Sequence, residues 1–231
     1  METKTNSNTI LKTNRLYMMV FIVVCSCIWC FQSKAEQIIQ GIPCKGEVTY
    51  FKSNKLNSCF LSKDFTIDEY VLPAGTKLFL NENGKPSRCV ISEETNFCGQ
   101  SLPAQTNVFF GLWGEKVSFW LPQNTMIQGY LIGASDDGPG TPLYANGKLK
   151  EIWLVNDLLI DGVPCTSSAN IFKYGWHVIH MGTERRVRFY DNGHLQRAML
   201  SSDIIIQGHS YKKGELIYFD KEGKIDLRVK K

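Results

Sequence analysis

Sustained helical periodicity is absent from this chain, which argues against a helix bundle or an alternating α/β architecture. No Cys-x-x-Cys pair occurs after residue 35, so neither a zinc ribbon nor thioredoxin-like redox chemistry is indicated. Also missing are Gly-x-Ser-x-Gly, His-Glu-x-x-His and a phosphate-binding loop. Net charge is scarce once the first residues are set aside. Residues 1–35 hold Lys4, Lys12, Arg15 and Lys34 against Glu2, so removing them from 26 basic and 22 acidic residues leaves 22 and 21. A nearly neutral chain lacks the electrostatic footprint of nucleic-acid binding, and it lacks strong attraction to anionic membranes.

What is present is repetition. Turn-like dipeptides recur about every 30 residues, at Asn54-Lys55, Asn83-Gly84, Trp113-Gly114, Asn146-Gly147, Asn192-Gly193 and Glu222-Gly223. An aliphatic residue follows most of them at Leu61, Ile91, Leu121, Leu154 and Leu200. Asp64, Asn124, Asp157 or Asp203 comes next, and then Ile67, Ile127, Ile160 or Ile206. Three of these phrases run into Gly129, Gly162 or Gly208. The segments beside the turns, such as Val187-Arg188-Phe189-Tyr190 and Ile217-Tyr218-Phe219, are β-branched and aromatic. Asn-Gly between such runs predicts type I′ hairpins with both central residues at positive φ. Asp157 and Asp203 fall in second turns, where short polar side chains bond nearby backbone.

Two alternating columns predict a core. Cys59, Cys89, Phe119, Ile152 and Ala198 share one strand face with Leu61, Ile91, Leu121, Leu154 and Leu200. Phe60, Val90, Trp120, Trp153 and Met199 point the other way and are also large and apolar. That pattern predicts a sheet covered on both sides. The expected fold is all-β: about six antiparallel hairpin repeats of ~30 residues in one rolled, sandwiched or closed sheet. The repeat domain spans 36–231, with an insertion at about 171–186 where Gly147 and Gly193 stand further apart than the other turns.

Ahead of the repeats, Lys12 and Arg15 precede the uncharged, largely apolar run from Leu16 to Phe31, and Ser33-Lys34-Ala35 supplies small residues at the positions a signal peptidase reads. The layout predicts a signal peptide over 1–35, placing the protein in the periplasm or outside the cell. The run is short for a membrane span, which needs ~20 residues. Val24-Cys25-Ser26-Cys27 is a loose lipobox, and its use would anchor the chain by a lipid on Cys27. Protein exported by its host is expected to begin at Glu36 by intact-mass analysis. Retention of Met1, or a lipid on Cys27, contradicts that reading.

Cys44, Cys59, Cys89, Cys98 and Cys165 follow the leader. An odd number leaves at least one thiol unpaired. Cys59 and Cys89 share a column, either as small buried hydrophobes or as a disulfide. Cys44 and Cys165 occupy equivalent places after Ile42-Pro43 and Val163-Pro164, and would meet only in a closed structure. The insertion carries Trp176, His177, His180 and Glu184; elsewhere His194 and His209 are scattered. Two imidazoles without a third ligand fall short of a metal site. Asp64, Asp157 and Asp203 lack the spacing of calcium-binding β-rolls. No catalytic, metal or cofactor-binding residue is assigned.

The cadence Gly–x–hydrophobic–x–aromatic–x–x–Asn-Gly-Lys-Leu, then Leu-x-x-Asp-x-x-Ile-x-Gly, resembles the second class of MORN-type repeats. The phrase Ile39-Gln40-Gly41-Ile42-Pro43-Cys44 resembles uncharacterised exported bacterial proteins. The resemblance implies stacked β-hairpins used as a scaffold or binding surface. The unit here is longer than the ~23 residues of MORN repeats and adds a third strand. The expectation is an exported, non-enzymatic scaffold that contacts a protein, a glycan or another envelope component. The alternative is a metal-dependent or hydrolase-like envelope enzyme using His177–Glu184. The strands are too short for a transmembrane barrel, which needs ~9–11 residues per strand.

Overall fold

The computed structural model describes residues 36–111, 117–135, 140–167 and 186–226. Every regular element among them is a β-strand. Eight strands form one antiparallel sheet, in the order Gln37–Ile39, Ile42–Tyr50, Leu56–Leu61, Lys77–Leu80, Pro86–Val90, Asn107–Phe110, Val117–Trp120 and Thr141–Leu143. Four more form a second sheet: Glu151–Ile152, Val187–Phe189, Leu195–Met199 and Leu216–Tyr218. Between the long hairpins lie short two-stranded ones, such as Phe65–Ile67 with Tyr70–Leu72 and Leu158–Ile160 with Val163–Cys165. Among the described residues the strands therefore form two open main sheets and a set of short hairpins. They do not form the single rolled or closed sheet expected.

The two kinds of hairpin use different turns, and the assignment is the reverse of the one expected. At the Asn-Gly tips only the glycine is left-handed: Gly84, Gly147 and Gly193 have positive φ, and the preceding asparagines do not. The Gly84 amide donates to the Asn81 carbonyl (2.9 Å) and the Asn81 amide to the Lys85 carbonyl (2.8 Å). Tyr144 with Gly147, Tyr190 with Gly193 and Asp220 with Gly223 repeat the pattern, and Asn54 at φ 59° takes the glycine's place in the first hairpin. This is a type I turn closed by a bulge at the left-handed residue. The type I′ turns lie instead at Gln40-Gly41, Cys98-Gly99, Gln128-Gly129, Asp161-Gly162 and Gln207-Gly208, where both residues have positive φ. Gly129, Gly162 and Gly208 therefore do not end a third strand. They turn it into a fourth, such as Tyr130–Ile132. The Trp113-Gly114 turn lies outside the described residues.

Polar side chains then tie one hairpin to the next. Asn146 Oδ1 accepts the Lys148 amide (3.1 Å) while its Nδ2 donates to the Asp191 carbonyl one hairpin on (2.7 Å). Asn192 likewise accepts from His194 and donates to the Lys221 carbonyl. The Tyr144 hydroxyl donates to Phe189 O, and Tyr190 to Phe219 O, each at 2.8 Å. Gln128 donates to the Gly147 carbonyl (2.8 Å) and accepts the Leu149 amide (3.3 Å); Gln207 does the same with Gly223 and Ile225. These bonds satisfy backbone groups that the bulged turns leave unpaired.

The aspartate column closes the short hairpins. Asp64 accepts the amide of Ala74 (2.9 Å), Asn124 that of Ala134 (3.0 Å), Asp157 that of Ser167 (2.6 Å) and Asp203 that of Lys213 (2.9 Å). Each side chain spans the base of its hairpin, which is a longer reach than the local turn expected. Replacing Asp157 with alanine is expected to cost about 1–3 kcal/mol, because the Ser167 amide loses a charged acceptor. Chemical denaturation of the variant checks this, and an unchanged midpoint would refute it.

The two inward columns behave as the alternation predicts. Cys59, Leu78, Cys89, Val108 and Phe119 are opposed in register across five strands, and all are buried. Leu61, Ile91, Leu121, Leu154 and Leu200 are buried too. The short hairpins supply Leu72, Phe97, Leu102, Ile127 and Ile160 to the same cluster. Each such side chain contributes roughly 1.5–3 kcal/mol by leaving water.

The cysteine pairing differs from both pairings considered. The disulfide joins Cys44 to Cys59, with Cα atoms 5.7 Å apart. Cys44 lies opposite Leu61 and Cys59 opposite Val48, so the two are diagonal neighbours with a bulge between Lys45 and Val48. Ordinary diagonal pairs sit ~7–8 Å apart. Cys89 cannot reach Cys59, because Leu78 lies between them in the row. Cys89, Cys98 and Cys165 are free thiols.

Candidate functional site

The outward face of the eight-stranded sheet is the most organised surface on the described molecule. Register places Lys45, Phe60, Lys77, Val90, Asn107 and Trp120 in one transverse row. Thr49, Ser58, Phe79, Arg88, Phe109 and Ser118 form the next. The column predicted to be covered lies in this face, and Phe60, Val90 and Trp120 are half-buried. What lies over the rings is their own neighbours. Lys77 Nζ stands 5.0 Å from the Phe60 ring centre and 5.6 Å from that of Phe79, and the Arg88 guanidinium lies 4.1 Å from that of Phe79. Phe109 meets Trp120 edge-on at 4.5 Å. Cations stacked on rings attract the negative ring face while keeping their N–H groups turned outward. All three charged residues of these rows, Lys45, Lys77 and Arg88, are basic.

At one end of the rows a cleft of about 590 Å³ opens, lined by Arg88, Gln105, Asn107, Trp120, Pro122 and Ser135 among others. Among the described residues no carboxylate lines it. Gly140 forms part of the support for Trp120: a Cβ there would stand 2.8 Å from the ring's Cδ1, and Gly140 itself is at φ +67°.

A second depression, of about 730 Å³, lies on the short hairpins and has the opposite charge, with Asp64, Glu69, Glu93 and Glu94 beside Tyr70 and Cys98. Its carboxylates are partly committed: Asp64 holds the Ala74 amide, and Glu94 accepts the Ser101 hydroxyl. Burial, then hydrogen bonding to Glu69, raises the Tyr70 hydroxyl well above its ordinary range. Among the described residues no group of three or more His, Cys, Asp or Glu side chains is arranged to hold a metal ion. Burial pushes the thiols of Cys89 and Cys165 up to about 12, so neither is a thiolate nucleophile near neutral pH.

Of the histidine-bearing insertion, Trp176, His177, His180 and Glu184 lie outside the described residues. Arg186, at its end, is 2% exposed and stacks on Trp153 with its guanidinium 4.2 Å from the ring centre. Its Nη1 donates to the Gly140 carbonyl (3.3 Å), and its Nε stands 3.5 Å from Glu151 without a hydrogen bond. His194 faces Asp161 at 3.7 Å on an exposed turn, and His209 is exposed on a short hairpin.

Residues missed from sequence include an outward set, Ile38 on the first strand of the large sheet and Val71, Met126, Leu159 and Ile205 on the short hairpins, which are 58–73% exposed. Each is the middle residue of a three-residue strand, so alternation turns it away from the core. No family model, curated protein or solved structure matches the chain.

Proposed function

We propose that residues 36–231 act as an exported, non-enzymatic β-repeat binding protein, and that the outward face of the eight-stranded sheet holds an envelope component. The observation that carries this reading is the face itself: two registered rows in which half-buried rings carry the cations Lys77 and Arg88, with a cleft at one end. A sheet face kept only for solubility would carry small polar or mixed-charge side chains. The MORN-type reading also belongs here. The recurring Asn-Gly tips, their cross-hairpin bonds and the aspartate column support a stack of related units. The basic, apolar leader with Ala35 at its end supports export.

The test compares two charge variants with wild type in binding to envelope extract. Lys77→Glu with Arg88→Glu alters the face; Glu93→Gln with Glu94→Gln alters the acidic depression. The reading expects loss of binding in the first variant and retention in the second, both folded by circular dichroism. Equal binding by all three proteins would overturn it.

A further inference from the structure

We infer that Asn83-Gly84, at the tip of the hairpin formed by Lys77–Leu80 and Pro86–Val90, is a site of spontaneous deamidation, and that Asn146-Gly147 and Asn192-Gly193 are held against the same reaction. The inference is independent of what the outward face binds.

The reaction is intramolecular. The backbone nitrogen of the glycine attacks the asparagine Cγ. An N–Cγ bond forms, the Cγ–Nδ2 bond breaks, and ammonia leaves with the proton of the glycine amide. Water then opens the five-membered imide at either carbonyl, which gives aspartate or isoaspartate. Water is the only co-reactant. Glycine favours the attack because it has no Cβ to block the approach.

All three tips share the Asn-Gly step and the turn. Each glycine amide donates to the carbonyl three residues before it: Gly84 to Asn81, Gly147 to Tyr144 and Gly193 to Tyr190. That restraint is common to the three and must open for attack. The side chains differ. Asn146 has its Oδ1 on the Lys148 amide and its Nδ2 on the Asp191 carbonyl of the next hairpin. Asn192 is tied at both ends in the same way, to His194 and Lys221. Swinging Cγ onto the glycine nitrogen breaks both bonds. In the Asn83 hairpin the turn is held instead by Asn81, whose Oδ1 accepts the amides of Asn83 (3.0 Å) and Lys85 (3.1 Å). Among the described residues no hydrogen bond holds the Asn83 side-chain amide.

Packing divides the tips along the same line. A Cβ on Gly147 would stand 3.1 Å from the Cys98 carbonyl oxygen, and one on Gly193 would stand 3.4 Å from Lys148 Nζ. Among the described residues, one on Gly84 would meet nothing within 4 Å. Gln128 clamps the Gly147 tip further, donating to the Gly147 carbonyl and accepting the Leu149 amide. Asn83 and Gly84 are both exposed, so water reaches the imide. The product adds a negative charge to the hairpin whose strands carry Lys77 and Arg88.

The experiment ages the purified, folded chain at mildly alkaline pH in heavy-oxygen water. Peptide mass spectrometry then follows the three asparagines, with fragmentation that separates isoaspartate from aspartate. The inference expects Asn83 to convert at least ~10-fold faster than Asn146 or Asn192, the factor set by one or two lost side-chain hydrogen bonds. In strong denaturant the three should convert at similar rates, because the tethers are gone. Gln128→Ala, confirmed as folded by circular dichroism, should speed Asn146 several-fold and leave Asn83 unchanged. Asn83→Ser should abolish the early acidic form of the folded protein.

Similar rates at all three sites in the folded chain would overturn the inference, as would earlier conversion of Asn146 or Asn192. A ranking that persists unchanged in denaturant would overturn it too, since neighbouring sequence rather than the fold would then set the order. These measurements on the wild-type chain decide the matter even where Gln128→Ala fails to fold.

Discussion

Replacing Glu151 with alanine is expected to cost about 3–5 kcal/mol, the range for leaving a buried charge unpaired. Among the described residues, Glu151 is the carboxylate that meets Arg186 and Arg188 at the second sheet. Its Oε2 accepts from Arg188 Nε at 3.1 Å and its Oε1 stands 3.5 Å from buried Arg186. Arg188 and Arg197 face each other across strands. Burial lowers the Arg186 pKa to about 10 despite the opposing pull of Glu151. The guanidinium therefore stays charged at neutral pH and needs its partner. Removing the carboxylate leaves like charges together in a poorly solvated place. The melting temperature should fall by about 10 °C. A double change, Glu151→Leu with Arg186→Met, should recover much of the loss, because an apolar pair replaces the charges. A single variant that melts within 1–2 °C of wild type would show that the cluster does not depend on Glu151.

Removing the disulfide is expected to cost nearly as much. Cys44 and Cys59 are 15 residues apart. A loop of that length restricts the unfolded chain by about 3 kcal/mol. Cys44→Ser with Cys59→Ser should lower the urea midpoint accordingly. Both side chains are buried, so the serine hydroxyls add to the loss. Cys44→Ala with Cys59→Ala separates the two contributions. Reducing agent should shift wild type toward the alanine variant and leave that variant unmoved. Insensitivity of wild type to reductant would contradict the Cys44–Cys59 bridge.

The parts legible in the sequence were those set by alternation. Cys59, Phe119 and Ile152, with Leu61, Leu121 and Leu154, are inside because strands turn every second residue to the same side. Turn type was not legible from Asn-Gly alone. A bulged type I turn and a type I′ turn both put glycine at positive φ, and only the residue before it separates them. The better signal was Gln128-Gly129 and Gln207-Gly208, a two-residue step between Ile-x-Ile and another short run. A periodic pattern shows that Phe60 and Trp120 point to the second face, not what lies on them. Lys77 and Arg88 come from neighbouring strands, and register alone brings them over the rings. The Cys44–Cys59 bridge depends on a bulge at Gly46 that no spacing rule marks. The cleft joins residues from separate strands and one turn, so it too appears only once the sheet is assembled.

The central claim is that the outward face of the eight-stranded sheet is the surface that binds. Amine labelling read by mass spectrometry, with and without a saturating envelope fraction, tests it residue by residue. Lys45 and Lys77 lie in the face, whereas Lys212 and Lys213 follow the last short hairpin. The account predicts that labelling of Lys45 and Lys77 falls several-fold on binding while Lys212 and Lys213 are labelled as before. Protection of Lys212 and Lys213 with Lys45 and Lys77 unchanged would contradict it.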